Sequence, residues 1–317
     1  MRNKQKFDVT KLPTVTSTYA GEAAADFIAA ALLSAKTLDQ RNIEIHPNVK
    51  YKQVIQKLDV SGIVSDASCN FETTGSVGIS EAVLEPKELQ VNLELCKQNF
   101  LDSWEAISLG YSAFDEIPRN FTDYLVSYVG GKVAEATETA IWQGTATNGS
   151  FAGFESILFA SSGSADSVII PAEAAAPITA ANIVDILTST VEAIPATVYG
   201  KEDVVIYLST KGMKAWQSSQ SGVTNVGSYN NMLNVGEKPA NFQGIELVHT
   251  PGLSGDVVIA AQKSNLHFGT GLMSDYNEVR VLDMADIDGS QNFRVIMRYT
   301  AGVTTGFNNE VVGYGLS

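Results

Sequence analysis

The sequence predicts an α+β fold, and three features carry that prediction. Residues 120–143 keep a helical spacing of apolar side chains along their whole length. The stretch "KELQVNLEL", residues 87–95, alternates with a period of two, as a half-buried antiparallel strand does. From residue 179 onward, helical and extended segments follow one another without the regular βαβ alternation of a parallel sheet.

A chain of 317 residues, 44% hydrophobic and 18% charged, can bury a sizeable core in one elaborate domain or two. Its net charge of -14 argues against a nucleic-acid reader, because phosphate binding needs Lys and Arg gathered on one face. The charge is uneven. Residues 1–57 hold 9 Lys and Arg against 5 Asp and Glu, a net of +4, and the remainder holds 12 against 30, a net of -18. A basic front on an acidic body favours attraction between copies. Cys69 and Cys96 lie 27 residues apart with no CxxC and no nearby His, so neither a disulfide framework nor a zinc site is signalled, and a reducing compartment is expected. No apolar run reaches the roughly 18 to 20 residues of a membrane span, and "MRNKQKFDVTKLP" lacks the apolar segment of a signal peptide.

The elements follow in order. Ala24, Phe27, Ile28, Ala31, Leu32 and Ala35 within "STYAGEAAADFIAAALLSAKTLD" (17–39) predict an amphipathic helix. The polar run before it has too few apolar groups to hold itself in place, so docking on a neighbouring subunit or on its own chain is expected. In 58–98, Leu89, Val91, Leu93 and Leu95 form one strand face, with "KLDVSGIVSDASCNF" expected as partner across the turn-rich "ETTGSVG". A hairpin of that length with little core at its tip should lie against something else. "NFLDSWEAISL" reads as a short helix. In the long helix, Phe121, Tyr124, Leu125, Tyr128, Val129, Val133, Ala136, Ala140 and Ile141 make one apolar stripe on a rod of roughly 35 Å. Asn120 is its expected N-cap, Gly144 its left-handed stop, and Gly130-Gly131 a candidate bend or close contact. A helix over 179–195, an apolar strand over 203–209, a helix in "STKGMKAWQSSQ" and a Gly/Asn-rich loop over 221–244 come next. The strands "IELVHT", "DVVIAAQ", "NLHFGT", "YNEVRVLD", "NFRVIMRYTAG" and "EVVGYG" close the chain.

No catalytic, cofactor-binding or metal residues are expected. His46, His249 and His267 are scattered, outside any HxxxH or HxE pattern. "GTGLMS" (269–274) has Ser274 where a dinucleotide loop needs its third glycine. Aligning "DMADIDGS" to a calcium loop puts Met284 at the first ligand position and Val295 at the twelfth, so it reads as a hairpin turn. Neither GxxxxGK[ST] nor GxSxG occurs. Glu135 and Glu138 are expected on the solvated face of the long helix.

This order of elements resembles the major capsid protein of tailed double-stranded DNA bacteriophages, whose fold encapsulins and the herpesvirus capsid floor share. The likeness spans nearly the whole chain, and "ETAIWQGTATNGSFAGF", a helix end running into Gly, a polar loop and a second Gly, is its most specific part. It implies an N-terminal arm with helix (1–57), an extended hairpin loop (58–98), a peripheral domain (99–175 and 272–317) with spine helix 120–143, and an axial domain (176–271). The loop 221–241 would then lie near a five- or six-fold centre. It further implies a non-enzymatic shell protein of the virion capsid, assembled as hexamers and pentamers in the host bacterial cytoplasm. Its partners would be its own copies, a portal and a separate scaffolding protein, with the DNA enclosed without sequence-specific contacts and no membrane involved. The acidic body suits a wall that does not grip DNA. Two other readings compete: an encapsulin-type compartment holding cargo enzymes, against which the long arm argues, and a soluble α+β enzyme near 34 kDa.

Overall fold

A computed structural model describes residues 17–20, 35–49, 51–64, 66, 69, 75–96, 120–147, 149–162, 166–173, 175–221, 240–271, 278–284 and 292–316. In chain order they form β1 (Ser17–Ala20), α1 (Lys36–Asp39), β2 (Glu44–His46), β3 (Gln53–Ser61), β4 (Ser76–Leu84), β5 (Lys87–Cys96), α2 (Asn120–Gln143), α3 (Phe154–Ser161) and α4 (Ile183–Glu192). Then come β6 (Val204–Leu208), α5 (Thr210–Ser221), β7 (Ala240–Phe242), β8 (Ile245–His249), β9 (Val258–Gln262), β10 (Leu266–Thr270), β11 (Glu278–Asp283), β12 (Asn292–Thr305) and β13 (Val312–Tyr314). The class is α+β, as expected.

Two sheets organise the body. In the first, the order is β13-β9-β6-β8-β7, with β6 and β8 parallel and the other pairs antiparallel. Its central strands are unbroken apolar runs because both of their faces are covered. Val204, Ile206, Leu208, Val258 and Ala260 join the core under α4 and α5. Val205, Tyr207, Ile259 and Ala261 turn the other way, into a core shared with α2, α3 and the second sheet. That second sheet runs β1-β11-β12-β10-β2, with β5 also on β12. The long β12 makes this possible: Phe293–Arg298 pair with β11, Ala301–Thr305 with β10, and Asn292–Ala301 with β5. The sheets interleave along the chain, since β10 precedes residue 271 yet joins the second sheet, and β13 near the C-terminus completes the first.

Several expectations require correction. The strand 87–95 is real, but its partner is β12, some two hundred residues away, and not residues 57–71. β3 pairs instead with β4, which covers part of the stretch read as a turn. Residues 17–20, expected to open a helix, are a strand paired with β11, and only 36–39 of that region are helical among the described residues.

The long helix spans 120–143 as expected, but its buried face is rotated from the expected stripe. Val129, Val133, Ala134, Thr137, Glu138, Ile141 and Trp142 are buried, while Tyr128 is 56% exposed and Ala136 is exposed as well. The helix runs unbroken through Gly130-Gly131, and a Cβ on Gly131 would meet nothing within 4 Å. Gly144 ends it by close packing, not by a left-handed φ: a Cβ there would collide with the carbonyls of Phe151 and Ala140. The left-handed residues of the loop are Ala146 and Gly149. The expected short helix at 99–109, the Gly/Asn-rich loop 222–239, the polar run 1–16 and most of the proposed turn at 283–290 lie outside the described residues.

Candidate assembly surfaces

β3 and β4 form a ribbon of two strands, joined to no third strand among the described residues. Antiparallel register sets Val54 opposite Val83 and Leu58 opposite Ile79, with Val77 two residues before Ile79 on the same side of β4. Because side chains alternate, these pairs share one face of the ribbon. That face is in solvent: Leu58 is 64%, Val77 63% and Ile79 67% exposed, and Val54 and Val83 are about half exposed. Beyond the end of β3, Ile63 and Val64 are exposed as well. A two-stranded ribbon is marginal alone in water, and its outer edges invite pairing. Covering each of these side chains contributes about 1.5 to 3 kcal/mol. The root is fixed by its own chain: Leu84 is fully buried against Gly269, and Lys52 pairs with Glu85 at 2.9 Å.

A second feature ties the segment before the ribbon to the rest of the chain. Glu138, read from the sequence as a surface carboxylate, is only 5% exposed. It accepts from the Thr37 backbone N–H at 2.9 Å and from Thr37 Oγ1 at 2.5 Å. Trp142 Nε1 donates to the same hydroxyl at 3.0 Å, and its ring packs on Phe154 and Tyr207. A carboxylate one turn before a tryptophan is thus made buriable by one threonine, which gives and receives. Tyr207 donates to the Asn42 carbonyl at 2.5 Å, and burial holds its hydroxyl protonated far above the usual tyrosine range. Lys36 Nζ reaches His249 Nδ1 at 2.7 Å; burial first, then the charges of Lys36 and Lys214, keep that imidazole neutral below its ordinary pKa. Residues 35–49 are therefore a docked part of the body, with Ala35, Leu38, Ile43 and Val49 buried.

Glu135 is on the surface, paired with Lys132 at 2.9 Å, as expected. Cys69 is exposed and Cys96 half-buried, and both are free. Gly269 is a strand residue of β10 paired with Gly302, not part of a phosphate loop. No described helix is long and apolar enough to cross a membrane. The histidines are less scattered than their numbers suggest: β2 lies parallel to β10, with Glu44 opposite His267, and His46 meets His267 at 3.1 Å. Sequence reading missed this pair and the Thr37–Glu138–Trp142 network because each joins residues a hundred or more positions apart. The one local signal was Glu44-Ile45-His46, whose i, i+2 spacing puts an acid and an imidazole on one strand face.

No protein-family model matches this sequence, and no curated protein is similar to it. Solved structures do share its fold. The capsid of a native GTA particle superposes with a TM-score of 0.60 at 16% identity, over 90% of this chain and 89% of that one. The capsid of Myoviridae phage XM1 gives 0.54 at 13% identity, over 88% and 91%. A virus-like particle from Pyrococcus furiosus gives 0.51 at 9% identity, over 93% and 98%. The chain has the phage major capsid fold, the fold that the order of its elements implied.

Proposed function

We propose that this chain is the major capsid protein of a tailed double-stranded DNA phage, a structural subunit without catalytic activity that assembles through hexamers and pentamers into an icosahedral shell. The observation that carries this reading is the β3–β4 ribbon: a row of apolar pairs projects into solvent from a chain whose five-stranded sheet buries its central strands on both faces. A neighbour's surface is what that row fits, and head-to-tail contacts of this kind close into rings and shells. In this reading residues 1–57 form the arm, of which 35–49 dock on their own chain, 58–98 the extended loop, whose strand β5 returns to β12, 99–175 and 272–317 the peripheral unit around α2, and 176–271 the axial unit, whose sheet β13 completes. The shell would sit in the virion after assembly in the bacterial cytoplasm, with a portal and a separate scaffolding protein as partners and DNA inside.

The virus-like particle match favours a second reading, an encapsulin-type compartment with protein cargo. Particle contents separate the two. Electron microscopy and sedimentation of the full chain should show closed shells, and particles from infected or induced cells should contain double-stranded DNA. Leu58→Asp with Ile79→Asp should abolish shells while leaving the subunit folded. A stable species near 34 kDa for the unaltered chain would overturn the shell reading, and enzyme cargo without DNA would select the compartment.

A further inference from the structure

We propose that Glu44, His46 and His267 form a binding site for a divalent transition-metal ion, Zn2+ among the common ones, which staples β2 to β10 at the root of the β3–β4 ribbon. Backbone register creates the site. Glu44 and His46 are two apart on β2 and so share a face, and the parallel pairing sets Glu44 beside His267. The alternate residues, Ile45 and Phe268, turn into the core on the opposite face. The triad therefore gathers on the face away from that core, where His267 is still only 7% exposed and Glu44 reaches solvent.

The distances suit a metal. His46 Nε2 and His267 Nδ1 are 3.1 Å apart, Glu44 Oε1 is 3.9 Å from the first, and Glu44 Oε2 is 3.5 Å from the second. Tetrahedral Zn2+ with bonds of about 2.0 to 2.2 Å sets its ligand atoms about 3.3 Å apart, so the imidazoles are close to their places and the solvent-reaching Glu44 side chain would have to swing one of its oxygens inward to serve both of them. Two imidazoles and one carboxylate with a fourth position left to water is a ligand set that Zn2+ favours. Without an ion, the two imidazoles share one N–H···N hydrogen bond. With one, His46 carries its proton on Nδ1 and His267 on Nε2, so both facing nitrogens offer lone pairs and no net proton is released from the neutral rings. Gln53 is placed to fix that tautomer: its side-chain amide lies 3.3 Å from His46 Nδ1, and its oxygen can accept the N–H when the amide turns over. Gln53 begins β3, so the ion would couple the edge of the second sheet to the base of the ribbon. This goes beyond the shell reading and does not depend on it.

The test uses the full chain, stripped with chelator and titrated with Zn2+ by calorimetry and with Co2+ by its visible absorption. One ion should bind per chain, with tetrahedral Co2+ bands, and Zn2+ should raise the melting temperature. His46→Gln should abolish binding and the thermal shift; Gln53→Ala should weaken binding about 10- to 100-fold. Glu44→Gln, at a position open to solvent and safe for folding, should weaken it as well. Replacing both free cysteines, Cys69→Ser with Cys96→Ser, should leave binding intact. The proposal fails if no ion binds at one per chain, if binding survives Glu44→Gln and His46→Gln unchanged, or if it disappears with the cysteines. A hydrogen-bonded histidine pair is then all the cluster is.

Discussion

The β3–β4 ribbon and the five-stranded sheet are made of the same material, strands rich in valine and isoleucine, but they end in opposite environments. In β6 and β9 every residue is buried, because helices cover one face and the α2 core covers the other. In β3 and β4 the paired Leu58 and Ile79 stand in water. One region completes its hydrophobic burial within the chain; the other does not among the described residues, and in the shell reading a neighbouring copy completes it. If the shell reading holds, stability of the subunit and competence to assemble rest on different residues, and substitutions should separate them.

The largest effect on the subunit is expected where the two sheets meet the spine helix. Trp142 is fully buried against Phe154 and Tyr207. Trp142→Ala should cost about 3 to 5 kcal/mol, read as a fall in the denaturant midpoint of dissociated subunits. A loss below about 1 kcal/mol would mean that the body is not the self-sufficient half of the comparison.

Next is the network that docks residues 35–49. Thr37→Val keeps the shape but leaves Trp142 Nε1 and one Glu138 oxygen without their hydroxyl partner. The expected cost is about 1 to 3 kcal/mol, because both groups stay buried. Adding Glu138→Gln to the same chain should recover part of that loss by removing the buried charge, which a double-mutant cycle would measure.

A smaller change should go the other way. Gly131 lies inside α2 with open space where a Cβ would be. Gly131→Ala should stabilise the subunit by about 0.5 to 1 kcal/mol, since alanine loses less backbone freedom on entering a helix. If shells form normally as well, that site is neither hinge nor contact; lost assembly with gained stability would place a neighbour against it.

Much of the fold was legible because it is written locally. Period 3.6 gave α2 its bounds, and the uninterrupted apolar runs gave β6 and β9. What was not legible depends on distant chain. β4 opens with Ser76 and Gly78, which read as turn, although Val77, Ile79 and Val83 keep the alternation. The partner of β5 could not be read at all, since any alternating strand satisfies its pattern equally. The buried face of α2 was misjudged for a related reason. A hydrophobicity rule places Tyr128 inside and Glu138 outside, and it is the long-range contact with Thr37 that satisfies the buried carboxylate of Glu138. The His46–His267 meeting is of the same kind: the ligand spacing exists in space and not in sequence.

The smallest expected effect sharpens the comparison most. Among the described residues of the expected stripe, Tyr128 and Ala136 are turned outward, and Tyr128 is the large one, more than half exposed. If α2 serves only its own core, Tyr128→Asp should change the dissociated subunit by no more than about 0.5 kcal/mol, as surface substitutions generally do. The same substitution assayed by shell yield asks a different question, because in the shell reading an exposed tyrosine is suited to a contact between copies. Unchanged stability with lost assembly would add the outer face of α2 to the ribbon as a surface completed by neighbours. Unchanged stability with normal shells would confine that role to β3 and β4. A loss of several kcal/mol in the subunit alone would mean that Tyr128 packs inward and that the division between sealed body and exposed ribbon has been drawn in the wrong place.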